Sequence, residues 1–224
     1  MTAAVAPLPR RLVAEVVGTA LLVSMGTGSV MTNAIAQGAL GLVGVALTWG
    51  FLVTAIIAFV GGISGAHINP AVTIALTAAG KFPVREAPSY VAAQCGGAAL
   101  GSMIVLATLG NVANLGATLP SVGTGAAFGV EFLLSFVLMA TVLGATSDDR
   151  WGGGGAAVVI GMAVALDVFV GGPLTGASMN PARSFGPALI GGRWDSQLLY
   201  WVAPIAGMLA AAFVDRFIRR TDEP

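Results

Sequence analysis

Two short polar motifs, Asn69-Pro70-Ala71 and Asn180-Pro181-Ala182, stand in otherwise apolar surroundings. Their chemistry is that of helix ends. Proline suits the first helical position, where its missing N–H would be unpaired anyway, and asparagine just before it suits the N-cap. Each motif therefore predicts a helix that starts at its own asparagine and turns a positive dipole end, with an amide donor, toward whatever lies ahead of it. Water or hydroxyl oxygen is held there acceptor-first. A cation, including a proton hopping along water, meets positive potential where its charge is already costly to desolvate. A single Asn-Pro reads as a turn, but two copies in matched contexts do not. Ile63-Ser64-Gly65-Ala66-His67-Ile68-Asn69-Pro70-Ala71 and Leu174-Thr175-Gly176-Ala177-Ser178-Met179-Asn180-Pro181-Ala182 align without a gap, 111 residues apart.

The elements that position these motifs follow from composition. Of 224 residues, 56% are hydrophobic and 9% charged, with a mean hydropathy of +0.90, whereas soluble domains carry roughly 25% charge. Apolar stretches fall at about 11–31, 39–60, 88–109, 127–146, 155–171 and 197–218, long enough to cross a bilayer at roughly 20 residues each. The segments after the motifs, 69–79 and 180–190, are too short to span and read as re-entrant half-helices. The fold class predicted is all-α integral membrane, with six transmembrane helices and two re-entrant half-helices in an inverted 3+3 repeat. It forms a single domain over 1–224, with a first repeat at 9–109 and a second at 127–220. The uncharged segment 110–126 joins the halves, and Asp148-Asp149-Arg150 with Gly152 to Gly155 marks the turn between spans four and five. Three spans per half put equivalent loops on opposite faces, so the half-helices enter from opposite sides and meet near the midplane.

Charge fixes the orientation expected. Arg10, Arg11, Lys81, Arg85, Arg150, Arg216, Arg219 and Arg220, eight of the ten basic residues, share one side if six spans are counted, which predicts both termini in the cytoplasm. Arg193 falls in an outer loop, and Arg183 at membrane depth. The stretch after Arg10-Arg11 resembles a signal peptide, but it contains Glu15 and runs on too long for a simple apolar region, so it reads as a retained first helix. No run of Lys or Arg marks a nucleic-acid surface. The lone Cys95 excludes an intramolecular disulfide and, with no Cys or His beside it, a zinc cluster. No cofactor or metal is expected. The spans hold no Ser/His, Cys/His or paired-acid set, which argues against an enzyme. A secondary transporter also uses inverted repeats, but it binds its coupling ion through intramembrane acids, whereas the midplane residues here are neutral amides. A closed-pore structural membrane protein is a further alternative.

The stretches Ser64-Gly65-Ala66-His67-Ile68-Asn69-Pro70-Ala71-Val72-Thr73 and Gly176-Ala177-Ser178-Met179-Asn180-Pro181-Ala182-Arg183-Ser184-Phe185-Gly186-Pro187-Ala188, with Glu15 and Glu131 in the first span of each half, resemble the major intrinsic proteins, the aquaporins and aquaglyceroporins. The resemblance covers the whole chain. It implies a six-helix pore with two half-helices, a homotetramer in the cell membrane with one pore per subunit, and passive conduction of water and small neutral solutes. It also implies an outer constriction of four residues, carried over by spacing from the motifs: Trp49 on span two, Val168 on span five, Ala177 and Arg183 in the second loop. This set resembles that of plant nodulin-26-like intrinsic proteins and, at Trp49, that of bacterial glycerol facilitators. Trp49 offers a wall on which a carbon backbone can slide and Arg183 donates to hydroxyls or a carbonyl, so glycerol, urea, ammonia or undissociated metalloid acids are expected to pass. Ser184 and Ala188 depart from the glycerol type, which carries an acid and a base there, and Tyr200-Trp201 follows the water-channel pattern. Strict water selectivity is therefore the alternative. Ala177 replaces a pore cysteine of some relatives, so weak mercury inhibition is expected.

The remaining polar residues read as support. Glu15 and Glu131 accept bonds from loop N–H groups that have no other partner, and His67 satisfies backbone beside a broken helix. Asp167 is expensive at its depth unless it faces water or a partner. Gly97 and Gly101 suit close helix contact, and Cys95 reads as a packed helix residue.

Overall fold

Inside a bilayer each backbone N–H and C=O must be satisfied within the chain, which leaves helices as the economical form for a sequence of this hydropathy. The computed structural model describes residues 6–152 and 154–219, and no strand occurs among them. Six helices are long and apolar enough to cross a membrane: α1 (Leu8–Ile35), α2 (Gly41–Ser64), α4 (Ala87–Leu109), α6 (Thr124–Thr146), α7 (Gly155–Thr175) and α9 (Gln197–Ile218). The half-helices are α3 (Pro70–Ala78) and α8 (Pro181–Gly191). Between α4 and α6 the chain makes a single left-handed turn, α5 (Ala113–Gly116), with φ from +46° at Ala113 to +65° at Gly116.

The helices run beyond the apolar stretches that announce them. α2 and α7 continue four residues past the predicted ends at 60 and 171, α2 through Gly61-Gly62 and α7 through Gly172, and stop only at Gly65 and Gly176. Those two glycines take φ of +87° and +79°, the left-handed conformation that closes a helix. α1 starts earlier than predicted, because Pro7 and Pro9 suit a helix start rather than its interior.

Two long helix pairs, α1 with α4 and α6 with α9, pack against a third, α2 with α7. Small residues allow the close approach. A methyl group at Gly97 would overlap the Val16 carbonyl oxygen, and one at Gly101 would lie 2.6 Å from that of Ala20. Outward faces remain apolar, with Val13, Phe51, Met162 and Phe217 all exposed.

The basic residues that the orientation expectation rests on lie at helix ends and in loops. Arg10 and Arg11 open α1, Lys81 and Arg85 lie between α3 and α4, Arg150 lies between α6 and α7, and Arg216 and Arg219 close α9. Arg220, and Gly153 of the predicted turn, lie outside the described residues. In that turn the Arg150 side chain bonds both Asp148 carboxylate oxygens at 2.6 to 3.0 Å, and those bonds hold the Asp148 carboxyl at about 2, below the usual range.

Candidate functional site

The half-helices meet end to end through their capping asparagines. Asn69 Oδ1 accepts from Ala71 N at 2.9 Å, and Asn180 Oδ1 accepts from Ala182 N at 3.0 Å and Arg183 N at 3.2 Å. The amide nitrogens cross over: Asn69 Nδ2 donates to Met179 O, and Asn180 Nδ2 donates to Ile68 O, both at 2.8 Å. Each asparagine therefore uses its oxygen on its own helix and one N–H on the opposite loop, which leaves the second N–H of each free to meet a passing oxygen.

The loops leading into the motifs are built alike. Ala66 and Ile68, and likewise Ala177 and Met179, have φ between +44° and +51°, a conformation that non-glycine residues adopt only where their surroundings hold them. Two buried carboxylates supply that hold. Glu15 accepts from His67 N, Ile68 N, the Ser64 hydroxyl and Gln94 Nε2 at 2.7 to 3.0 Å. Glu131 accepts from Ser178 N, Met179 N and the Thr175 hydroxyl at 2.6 to 2.9 Å. Behind them the Tyr90 and Tyr200 hydroxyls donate to Ser64 O and Thr175 O. The halves differ around one position. His67 Nδ1 meets Thr73 Oγ1 at 3.1 Å and its ring clusters with those of Phe82 and Tyr90, whereas Ser178 joins a hydroxyl chain with Ser184 and Thr118.

A cavity of about 440 Å³ runs past these groups. One end is lined by Lys81, Thr146 and Ala156, the middle by Asn69 and Asn180, and the other end by Trp49, Ala177 and Arg183. His67 also lines it, while Glu15 and Glu131 lie fully buried behind the loops. Pro70, Ala71, Pro181 and Ala182 are buried in the first turns of α3 and α8. Val168 does not stand on the cavity wall. It is 4% exposed and packs in the same apolar cluster as Trp49 and Ala177.

Arg183 is 3% exposed, so its charge is held by the chain. Nη1 donates to Gly116 O at 2.8 Å, and the guanidinium carbon lies 5.0 Å from the centre of the Trp49 ring, a cation–π distance. Its Nε has no hydrogen-bond partner among the described residues, and neither does Asp167 Oδ2 on the buried face of α7. Several supporting residues escape a motif-based reading. Tyr90 and Tyr200 are 110 residues apart, so the 111-residue step takes Tyr90 to Trp201 and the pairing emerges only with a one-residue shift between α4 and α9. Gly116 does not emerge at all, because it lies in the linker, which has no counterpart elsewhere in the chain. It needs to be glycine there, since its φ is +65° and a methyl group would lie 2.7 Å from Thr27 Cβ.

Residues 3–215 match the family model described as major intrinsic protein. The chain belongs to the major intrinsic protein family. Among relatives, it is 42% identical over 217 residues to a probable aquaporin of NIP type from Nicotiana alata, covering 96% of this chain and 80% of that one. It is 41% identical over 219 residues to nodulin-26 from Glycine max, covering 97% and 81%. The aquaglyceroporin structure from Plasmodium falciparum superposes with a TM-score of 0.84 at 26% identity, over 95% of this chain and 98% of that one. As a major intrinsic protein with six membrane helices, the chain is a multi-pass membrane channel for water and small neutral solutes and not an enzyme.

Proposed function

We propose that the pore conducts glycerol, urea, ammonia or undissociated metalloid acids as well as water, and that it rejects ions and protons. The single observation that supports this reading most is the pairing of Trp49 with Arg183 at one end of a cavity whose middle carries Asn69 and Asn180. An indole face beside a guanidinium suits a solute with one carbon side and one hydroxyl side. Ala177 adds little bulk there, and Val168, buried in the same apolar cluster as Trp49 and Ala177, completes the proposed four-residue filter. Charge rejection rests on the two half-helix N-termini and their free amide hydrogens.

Strict water selectivity is the second reading, favoured by Ser184, Ala188 and Tyr200-Trp201. In the structure Ser184 bonds Thr118 and Ser178, Ala188 is buried and Tyr200 bonds Thr175. These act behind the wall, whereas Trp49 and Ala177 line it, so the filter carries more weight. A transporter mechanism is disfavoured by the neutral amides at the cavity's middle.

The assembly proposed is a homotetramer in the cell membrane with one pore per subunit and both termini cytoplasmic, built from inverted repeats over 9–109 and 127–220. Cys95 is half-buried on α4 and does not line the cavity, so mercury inhibits weakly; a strong, thiol-reversible block contradicts this.

The test is reconstitution in liposomes, with stopped-flow shrinkage in an impermeant osmolyte compared with reswelling in glycerol and urea. Solute flux in the wild type that disappears in Trp49→Phe combined with Val168→His assigns selectivity to the filter. Fast water flux with no solute flux favours the second reading.

A further inference from the structure

Beyond the four filter positions, α1 carries a residue whose only notable property is its lack of a side chain. Gly26 is buried on the face of α1 that, one turn earlier, presents Leu22 to the cavity. The Trp49 indole lies directly on it. A methyl group at Gly26 would overlap Trp49 Cη2 and lie 2.6 Å from both Cζ2 and Cζ3, distances that require one of the two to move. The glycine cannot easily retreat, because it is buried in α1, which packs against both α2 and α4. The indole's remaining freedom is toward the cavity, where Arg183 stands 5.0 Å from its ring centre.

The other half of the molecule shows that this position has no general need for glycine. Glu15 and Glu131 are 116 residues apart, and the same step takes Leu22 to Leu138, which also lines the cavity, and Gly26 to Val142. The motif step of 111 residues takes Trp49 to Ile160. Val142 and Ile160 both line the cavity. Two branched side chains of middling size in one half therefore replace one absent and one very large side chain in the other. The glycine is matched to the tryptophan rather than to the helix.

We propose that Gly26 is a positioning residue for selectivity: it sets how deeply the Trp49 indole is seated between α1 and Arg183, and so the width left for uncharged solutes. This inference rests on the filter reading given above. Because the contact is with one ring, its effect is graded by solute size, largest for glycerol and smallest for water.

The test uses four full-length proteins in liposomes: wild type, Gly26→Ala, Trp49→Phe, and the two changes combined. Glycerol and water permeabilities are measured on each. Gly26→Ala lowers the glycerol-to-water ratio by roughly tenfold, the scale expected of one extra methyl group in a packed site. The combined variant, with a smaller ring over the new methyl, returns to within about threefold of Trp49→Phe alone on the same reasoning. An unchanged ratio in Gly26→Ala, or a loss that persists in the combined variant, overturns the inference, provided Trp49→Phe alone shifts the ratio. If Trp49→Phe leaves the ratio unchanged, the filter reading itself falls and this inference with it. Should Gly26→Ala fail to reach the membrane folded, recovery of folded protein in the combined variant supports the contact, and failure of both overturns it.

Discussion

Arg183 is a buried cation beside the cavity, and the chain stabilises it with a backbone carbonyl on one side and an aromatic face on the other. Replacing it with Val removes the positive charge at the Trp49 end, and proton or potassium leak should rise above that of empty liposomes in a dye-release assay. The buried acids behave differently because they face backbone. Glu131→Ala strands the Ser178 and Met179 N–H groups and leaves the Thr175 hydroxyl only its longer bond to Gly171 O, at a cost of about 1–3 kcal/mol for each stranded donor. Glu131→Gln keeps an acceptor oxygen, so thermal unfolding in detergent should fall much further for the alanine variant than for the glutamine one. At this scale the sequence was most readable where residue type and spacing agree, as at Asn69 and Asn180. It was least readable at Gly116, whose role comes from a left-handed turn that brings its carbonyl to Arg183 from 67 residues away.

The elements show why a repeated motif could locate the half-helices while the span ends needed coordinates. Asn-Pro-Ala states its own helix start through a cap and a proline, so α3 and α8 begin where the motifs say. α2 and α7 end where a glycine turns left-handed, and hydropathy does not distinguish Gly65 from Gly61 or Gly62. Close packing is similarly selective among glycines. Gly97→Leu should sharply lower the yield of folded protein and its unfolding temperature, since Gly97 abuts the Val16 carbonyl. Gly96→Leu should be tolerated, because nothing lies within 4 Å of a methyl group there. In the turn between α6 and α7, Asp148 has its carboxyl held at about 2 by Arg150. Its pairing is therefore present above the ordinary carboxylate range and is lost only as pH falls toward 2. Asp148→Asn should leave water permeability parallel to the wild type between about pH 5 and 8, the window in which histidine rather than a paired carboxylate changes charge.

For the whole molecule, the outward apolar faces of α1, α2, α7 and α9 ask for lipid or for neighbouring copies. The tetramer proposed here predicts a protein mass of four times 22.3 kDa by light scattering corrected for detergent; a monomer mass contradicts it. The two halves, proposed to be inverted repeats, share acids, tyrosines and loops that bring two asparagines to the centre of the cavity, while unmatched pairs, Gly26 with Trp49 against Val142 with Ile160, make its ends different. The pore proposed here passes neutral molecules and refuses charge along one path. Liposomes carrying the protein and a trapped pH-sensitive dye test it in a single mixing experiment, with light scattering following glycerol entry while fluorescence follows protons. Glycerol should enter well above the rate of empty liposomes, with proton leak equal to theirs. Proton leak that rises with the amount of protein, or water flux without any glycerol entry, contradicts it.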